Sequence, residues 1–336
     1  MENKSLSDKY APDTISTPVK QRLNTIIHGD SLDVLKTLPS ESVNCIVTSP
    51  PYYCLRDYGV AGQIGLEKSP EKYIERLVSV FSECFRVLKA DGTFWLNIGD
   101  SYAGSGRGWG GKNDLFSRKI QPTASYATEF SKPQKLLNYK NKDLIGIPWA
   151  LAFALRERGW YLRQDIIWHK PNPMPESVTD RCTKSHEYLF LLTKSPKYYF
   201  NHASMLEPAK YDNRKDIVKK PSPKYQNGGT GLAIQGFAKS GYRWKSVEGQ
   251  FVRNRRDVWN IPTHPFKGAH FATFPPELVR PCVQAGCPKG GVVLDPFSGA
   301  GTTALVAKEC GCNYIGIELN PDYIKIAQQR LEFDKK

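Results

Sequence analysis

Apolar and polar positions along the chain follow two periods. Residues 24–28 (NTIIH) and 43–48 (VNCIVT) are short apolar runs that read as strands, the second a buried one. Between them Gly29-Asp30-Ser31 leads into a short helix over LDVLKTL. Ile74, Leu77, Val78, Phe81, Phe85 and Leu88 then recur at helical spacing. Ser69 stands where an N-cap belongs and Pro70 at the first helical position, so a helix is predicted to begin there. Gly92 is expected to turn the chain into a strand, TFWLNIG. A helix near 148–158 and strands at 161–169 (YLRQDIIWH) and 187–193 (EYLFLLT) come next. The last third alternates again: a helix at 276–285, the strand VVLD (292–295), a helix at 302–310, the strand YIGIE (314–318) and a helix at 321–332. Strands alternating with helices predict an α/β fold, a mostly parallel sheet with helices on both faces.

Two stretches break this pattern. Residues 101–142 open on the Gly-rich SYAGSGRGWGGKND and read as a long loop, a length that often signals function. Residues 201–260 are Gly-, Lys- and aromatic-rich with weak periodicity and read as an inserted recognition module. The organisation expected is therefore an N-terminal arm (1–23), a first half of the main domain (24–200), the insert (201–260) and a second half (261–336).

Charge sharpens this division. The chain has 336 residues and a formal net charge of +14. Residues 101–142 hold 8 basic and 2 acidic side chains, and residues 201–260 hold 12 and 5. The body is thus near neutral and the excess sits in the two irregular stretches, which points to a polyanion such as nucleic acid. Hydrophobic residues at 40% and charged residues at 24% exclude a disordered chain, a collagen and a coiled coil. No apolar run approaches the roughly 18 residues of a membrane span. The N-terminal MENKSLSDKYAPDTIS lacks an apolar signal region, so a cytoplasmic location is the expectation. The 8 cysteines are then expected as reduced thiols, and without a C-x-x-C pair a zinc site is not expected.

Two motifs carry candidate chemistry. Asp295-Pro296-Phe297-Ser298-Gly299-Ala300-Gly301-Thr302-Thr303 lies between a strand and a helix, where glycines let a ligand approach the backbone and the helix start offers N–H groups. No lysine closes the loop, which excludes a P-loop. Gly299, Gly301 and Ala304 match a dinucleotide fingerprint, and Glu318 ends the next strand where an acid would bind ribose hydroxyls. An S-adenosylmethionine site uses the same loop and acid, so the glycines alone leave both cofactors open. The second motif, Thr48-Ser49-Pro50-Pro51-Tyr52, follows a buried strand. Consecutive prolines stiffen the backbone and donate nothing. The Ser49 and Pro50 carbonyls and the Ser49 hydroxyl can then act as fixed acceptors beside the flat Tyr52 ring, a set suited to a planar exocyclic amino group.

With these two motifs, the chain from about Asp30 to Leu331 resembles the DNA amino-methyltransferases, which modify N4 of cytosine or N6 of adenine. Ser49-Pro50-Pro51-Tyr52 is similar to the family's catalytic motif and Asp295 to Gly301 to its cofactor loop. Tyr314-Ile315-Gly316-Ile317-Glu318 resembles the segment ending in the ribose-binding acid. Gly29-Asp30-Ser31 resembles the segment whose Asp contacts the cofactor adenine. His270-Phe271-Ala272-Thr273-Phe274-Pro275 resembles the segment that holds the methionine end.

The resemblance implies a Rossmann-like methyltransferase fold in the circularly permuted "beta" order, with the C-terminal strand beside the N-terminal one. It implies S-adenosyl-L-methionine as cofactor, held by Asp30, His270, Phe274, Asp295, Phe297, Gly299, Gly301, Thr302 and Glu318, and double-stranded DNA as partner. Ser49, Pro50, Pro51 and Tyr52 would be catalytic on a flipped base. The basic stretches would touch DNA through Arg107 and Lys112 on a mobile flap and through Lys219, Lys220, Arg253, Arg255 and Arg256 in the recognition region. A Ser at position 49 favours N4 of cytosine, with N6 of adenine as the alternative and an RNA amino-methyltransferase behind both. A non-catalytic DNA-binding protein and a dinucleotide oxidoreductase stand as different classes. The resemblance leaves room for a cognate restriction endonuclease as a partner and leaves the oligomeric state open. Pro281-Cys282 imitates the nucleophile of the cytosine-C5 enzymes, but it precedes the glycine loop inside a helix, so Cys282 is assigned to packing.

Overall fold

The computed structural model describes residues 17–104, 138–209, 245–247, 250–264 and 274–333. In chain order the elements are α1 (Thr17–Lys20), β1 (Thr25–His28), α2 (Ser31–Lys36), β2 (Val43–Thr48), α3 (Pro70–Val87), β3 (Leu88–Ile98), α4 (Ile147–Glu157), β4 (Tyr161–His169), β5 (His186–Thr193), β6 (Leu206–Pro208), β7 (Lys245–Val247), β8 (Gln250–Asn254), β9 (Val258–Asn260), α5 (Pro276–Gly286), β10 (Val292–Asp295), α6 (Thr302–Glu309), β11 (Asn313–Glu318) and α7 (Pro321–Phe333). They fall into two compact units. One joins the residues up to Asn201 with those from Asp257 onward, and the other is His202–Arg256.

The larger unit holds an eight-stranded sheet in the order β1-β11-β10-β2-β3-β5-β4-β9. Five of its seven pairings are parallel, and β5 runs antiparallel to both its neighbours, β3 and β4. The first and last strands lie side by side, with Thr25 opposite Ile315 and His28 opposite Glu318. A parallel sheet needs cover on both faces. On one face α3 starts at the Ser69 cap, whose side chain accepts from Lys72 N, with Pro70 in its first turn. It buries Tyr73, Leu77, Phe81 and Val87 in the core shared with Phe94, Leu96, Phe190 and Leu192. The Phe81 and Phe94 rings meet at 5.0 Å. On the other face lie α5 and α6. Cys282 of α5 is fully buried and its thiol donates to the Leu278 carbonyl at 3.3 Å, a packing role.

Two boundaries differ from the reading of the sequence. Gly92 is not a turn into β3, because the strand begins at Leu88. The last turn of α3 delivers buried Leu88 opposite Val43, and the ladder then skips to Cys45 opposite Thr93, so Gly92 sits in an irregular stretch of the strand. Residues 258–260 do not belong with the insert. They form β9, which pairs with β4 in the main sheet.

The smaller unit is a three-stranded antiparallel sheet, β6-β8-β7, with a 3-10 turn at His202–Met205. Glu207 faces Arg253 across β6 and β8. No helix among the described residues is long and apolar enough to cross a membrane.

Candidate active site

Ligands of open parallel sheets bind beyond the carboxyl ends of the strands. Here that edge forms a pocket of about 690 Å³, of the size that takes a small organic molecule. It is continuous from Asp30, Phe297 and Glu318 at one end to Ser49, Tyr52 and Glu187 at the other.

At the first end the loop after β10 is fixed by two carboxylates. Asp295 is buried and accepts from Thr48 Oγ1 at 2.6 Å, Thr303 Oγ1 at 2.7 Å and Phe297 N at 3.0 Å. It thereby ties the end of β2, the loop and the start of α6 together. Burial pushes its carboxyl up to about 6, against the downward pull of those three bonds. Glu318 accepts Gly299 N at 2.7 Å on one oxygen and Asn320 N at 2.8 Å on the other. Burial raises its carboxyl as well. Asp30 caps α2, accepting Leu32 N at 2.9 Å. Tyr58 and Tyr323 meet edge to face at 6.2 Å on the same wall.

At the second end Thr48 closes β2 and the chain turns through the two prolines. The Pro51 carbonyl is taken by the Tyr73 hydroxyl at 2.8 Å. Among the described residues no donor reaches the Pro50 carbonyl, so it remains an acceptor on the pocket wall. The Ser49 hydroxyl lies 3.4 Å from the Tyr52 hydroxyl, which donates to Glu187 Oε2 at 2.5 Å and also meets Asn97 Oδ1 at 3.2 Å. Burial and then the Glu187 charge push the Tyr52 phenol well above its ordinary range, so it stays protonated. The Tyr52 ring edge lies against Gly99, where a Cβ would come within 2.7 Å of Cε2.

This arrangement brings the Glu318 carboxylate, the glycine loop and the Ser49–Tyr52 motif together in one cavity. The sequence model of the N6- and N4-type enzymes, described as DNA methylase, matches residues 43–329. The chain belongs to the DNA methylase family. The methylase is 49% identical to the type II methyltransferase M.Cfr9I of Citrobacter freundii, over 94% of this chain and 90% of that protein. Among solved structures its fold is similar to that of the PvuII DNA methyltransferase, described as cytosine-N4-specific. The TM-score is 0.58 at 17% identity, over 91% of this chain and 85% of that one. It is also similar to a putative DNA modification methylase of Thermus thermophilus complexed with S-adenosyl-L-methionine. There the TM-score is 0.55 at 22% identity, over 92% and 93% of the two chains.

The site residues expected from the sequence divide by position. Ser49, Pro50, Pro51, Tyr52, Asp30, Phe274, Phe297, Gly299, Thr302 and Glu318 line the methylase pocket together. Asp295 and Gly301 stand behind its wall. Gly301 has a φ of 75°, and a Cβ there would lie 2.9 Å from Ala327 Cβ, so its role is to let α7 pack closely on the start of α6. His270, Arg107, Lys112, Lys219 and Lys220 lie outside the described residues. In the smaller unit Arg253 and Arg256 both reach Glu207 Oε1, at 2.8 and 3.2 Å, and Arg255 N donates to the Met205 carbonyl.

The site residues expected from the sequence do not include Asn97, Lys170 and Glu187 on the pocket wall, or Ser298, Tyr58 and Tyr323 at its Glu318 end. Lys170 and Glu187 flank the apolar runs of β4 and β5. A charge at the end of a buried strand was the available signal, but it acquires meaning only once strand directions are known.

Proposed function

We propose that the methylase transfers a methyl group from S-adenosylmethionine to N4 of a cytosine flipped out of double-stranded DNA. The observation that carries this reading is the pair of uncharged acceptors, Ser49 Oγ and the Pro50 carbonyl, presented on one wall of the pocket that also holds Glu318. The residues fit the cofactor. Ser298 carries a buried hydroxyl with no hydrogen-bond partner among the described residues, on the wall beside Gly299. Each oxygen of Glu318 accepts one backbone N–H and keeps a further lone pair for a ribose hydroxyl. Asp30, Phe274, Phe297 and Thr302 complete the holding set.

S-adenosylmethionine supplies an electrophilic methyl on its sulfonium. The protein positions the amino group that attacks it. Ser49 Oγ and the Pro50 carbonyl accept its two N–H bonds and draw its lone pair out of conjugation with the ring. The Tyr52 ring offers a face to the extruded base, a contact worth roughly 1–3 kcal/mol. Neutral acceptors favour an amino group that stays uncharged until the methyl arrives, and positioning supplies most of the acceleration.

The test is direct. DNA propagated without this protein is incubated with it and with S-adenosylmethionine, then digested to nucleosides and analysed by mass spectrometry. N4-methyldeoxycytidine is the expected product. N6-methyldeoxyadenosine would move the reading to the adenine branch, and unmodified DNA with methylated RNA would overturn it.

A further inference from the structure

The second end of the pocket contains a charged group that is neither in the holding set named above nor one of the two acceptors. Because β5 is antiparallel to β3, with Ile98 opposite Tyr188, its first residues arrive at the carboxyl edge of the parallel strands. Because β4 runs parallel to β3, its last residues arrive at the same edge. Glu187 and Lys170 therefore meet there, 17 positions apart in sequence, as an ion pair with side chains only 14% and 19% exposed. Lys170 Nζ also lies 4.4 Å above the Trp168 ring. Asn97 Nδ2 holds Glu187 Oε2 at 3.1 Å and the Tyr188 carbonyl at 3.1 Å. Lys170, Asn97 and Tyr52, from three segments, thus fix Glu187, and the Tyr52 hydroxyl is the donor among them that faces Ser49.

A tyrosine hydroxyl has one proton, and an ionised carboxylate is a stronger acceptor than an amide oxygen. With that proton given to Glu187, the Tyr52 oxygen can only accept. The group 3.4 Å away is Ser49 Oγ, so the serine proton turns toward Tyr52 and the serine lone pairs turn toward the pocket. The acceptor character of Ser49 then follows from an order of protons set by Glu187.

We propose that Glu187, paired with Lys170, is the positioning residue that sets this order and the terminus that receives the proton lost by the methylated amino group. This rests on the base-methylation reading above. On transfer the nitrogen gains a methyl and a positive charge. One N–H bond breaks and its proton passes to Ser49 Oγ. The former serine proton passes to the Tyr52 oxygen, and the former tyrosine proton passes to Glu187 Oε2. Serine and tyrosine end as they began, the amine is neutral and Glu187 is a neutral acid, which releases its proton to water.

The charged and titratable groups around Glu187 include Tyr52 from the loop after β2, Lys170 after β4, and Lys184 and His186 beside it in the chain, with His169 of β4 opposite His186 and with Asp100 and Glu176 near Lys184. The experiment measures single-turnover methylation of DNA across about pH 5 to 9 with the full-length chain. It compares wild type, Glu187→Gln, Lys170→Met and His186→Gln, with the cofactor dissociation constant from calorimetry as a second readout. Wild type is expected to lose rate on the acid side. Glu187→Gln should lower the rate on the order of 10²-fold, abolish the acid limb and bind cofactor as wild type does. Lys170→Met should lower the rate less than Glu187→Gln does, because the carboxylate remains but loses the cation that holds it in place. An acid limb that persists in Glu187→Gln, or that disappears only in His186→Gln, overturns the proposal. So does a wild-type rate in Glu187→Gln. Absence of methylation by wild type itself would instead count against the base-methylation reading.

Discussion

Asp295 shows how one residue can belong to a family motif without lining the pocket. Its carboxylate braces Thr48, Thr303 and Phe297 N from behind the pocket. Burial raises it from 3.8 to about 6, so the folded state holds its proton more tightly than the unfolded state. The stability it contributes is fully present below about pH 4 and is lost as the pH rises through about 6. Asp295→Asn has no such titration. Its stability relative to wild type should therefore increase between about pH 4 and pH 7, by on the order of 3 kcal/mol at about 1.36 kcal/mol per pKa unit. Urea midpoints for the two proteins across that range test this, and parallel curves would remove the assignment. At this scale the sequence was most legible where residues are contiguous. Ser49 to Tyr52 and Asp295 to Thr302 announce themselves, because turn geometry and acceptor chemistry are properties of a few neighbouring residues. Glu187 was not legible, since its partner Tyr52 is 135 positions away.

Elements were legible where periodicity and caps agree. Helix α3 begins at Ser69-Pro70 as its cap chemistry requires, and β4 spans the residues its apolar pattern marks out. The start of β3 was not, because pairing with β2 overrode the turn preference of Gly92. Gly301 carries the clearest consequence at this scale. Ala at this position must adopt a φ of 75° and push against Ala327 on α7. Gly301→Ala should lower unfolding stability by roughly 2–4 kcal/mol, from left-handed strain and overpacking together. Adding Ala327→Gly should restore the packing part and leave the strain. Thermal melts of the single and double variants separate the two effects, and a double variant no better than the single would show that packing against α7 is not the reason for the glycine.

For the molecule as a whole, charge is partitioned between a near-neutral body and two basic stretches, 101–142 and 201–260. If the second stretch follows the phosphate backbone, replacing Lys219 and Lys220 with Ala should weaken binding to cognate and scrambled duplexes alike. It should also flatten the slope of log affinity against log salt by about 0.9 for each phosphate that is no longer neutralised. Unchanged slopes would show that this basic stretch is a solvated insert. Arg253 is expected to add less than its charge suggests, because Glu207 already holds it. The sequence alone determined the class of fold, most elements of the main sheet and their order, and the two motifs at its carboxyl edge. Those depend on spacing within a turn or a strand, where backbone geometry and hydrophobic period act over a few residues. Apart from the first and last strands, whose adjacency the permuted order implied, only the tertiary structure decided which strands are neighbours and that β5 runs against them. Strand pairing is a contest among residues far apart in sequence, and its outcome brings Lys170 to Glu187 and Glu187 to the hydroxyl of Tyr52.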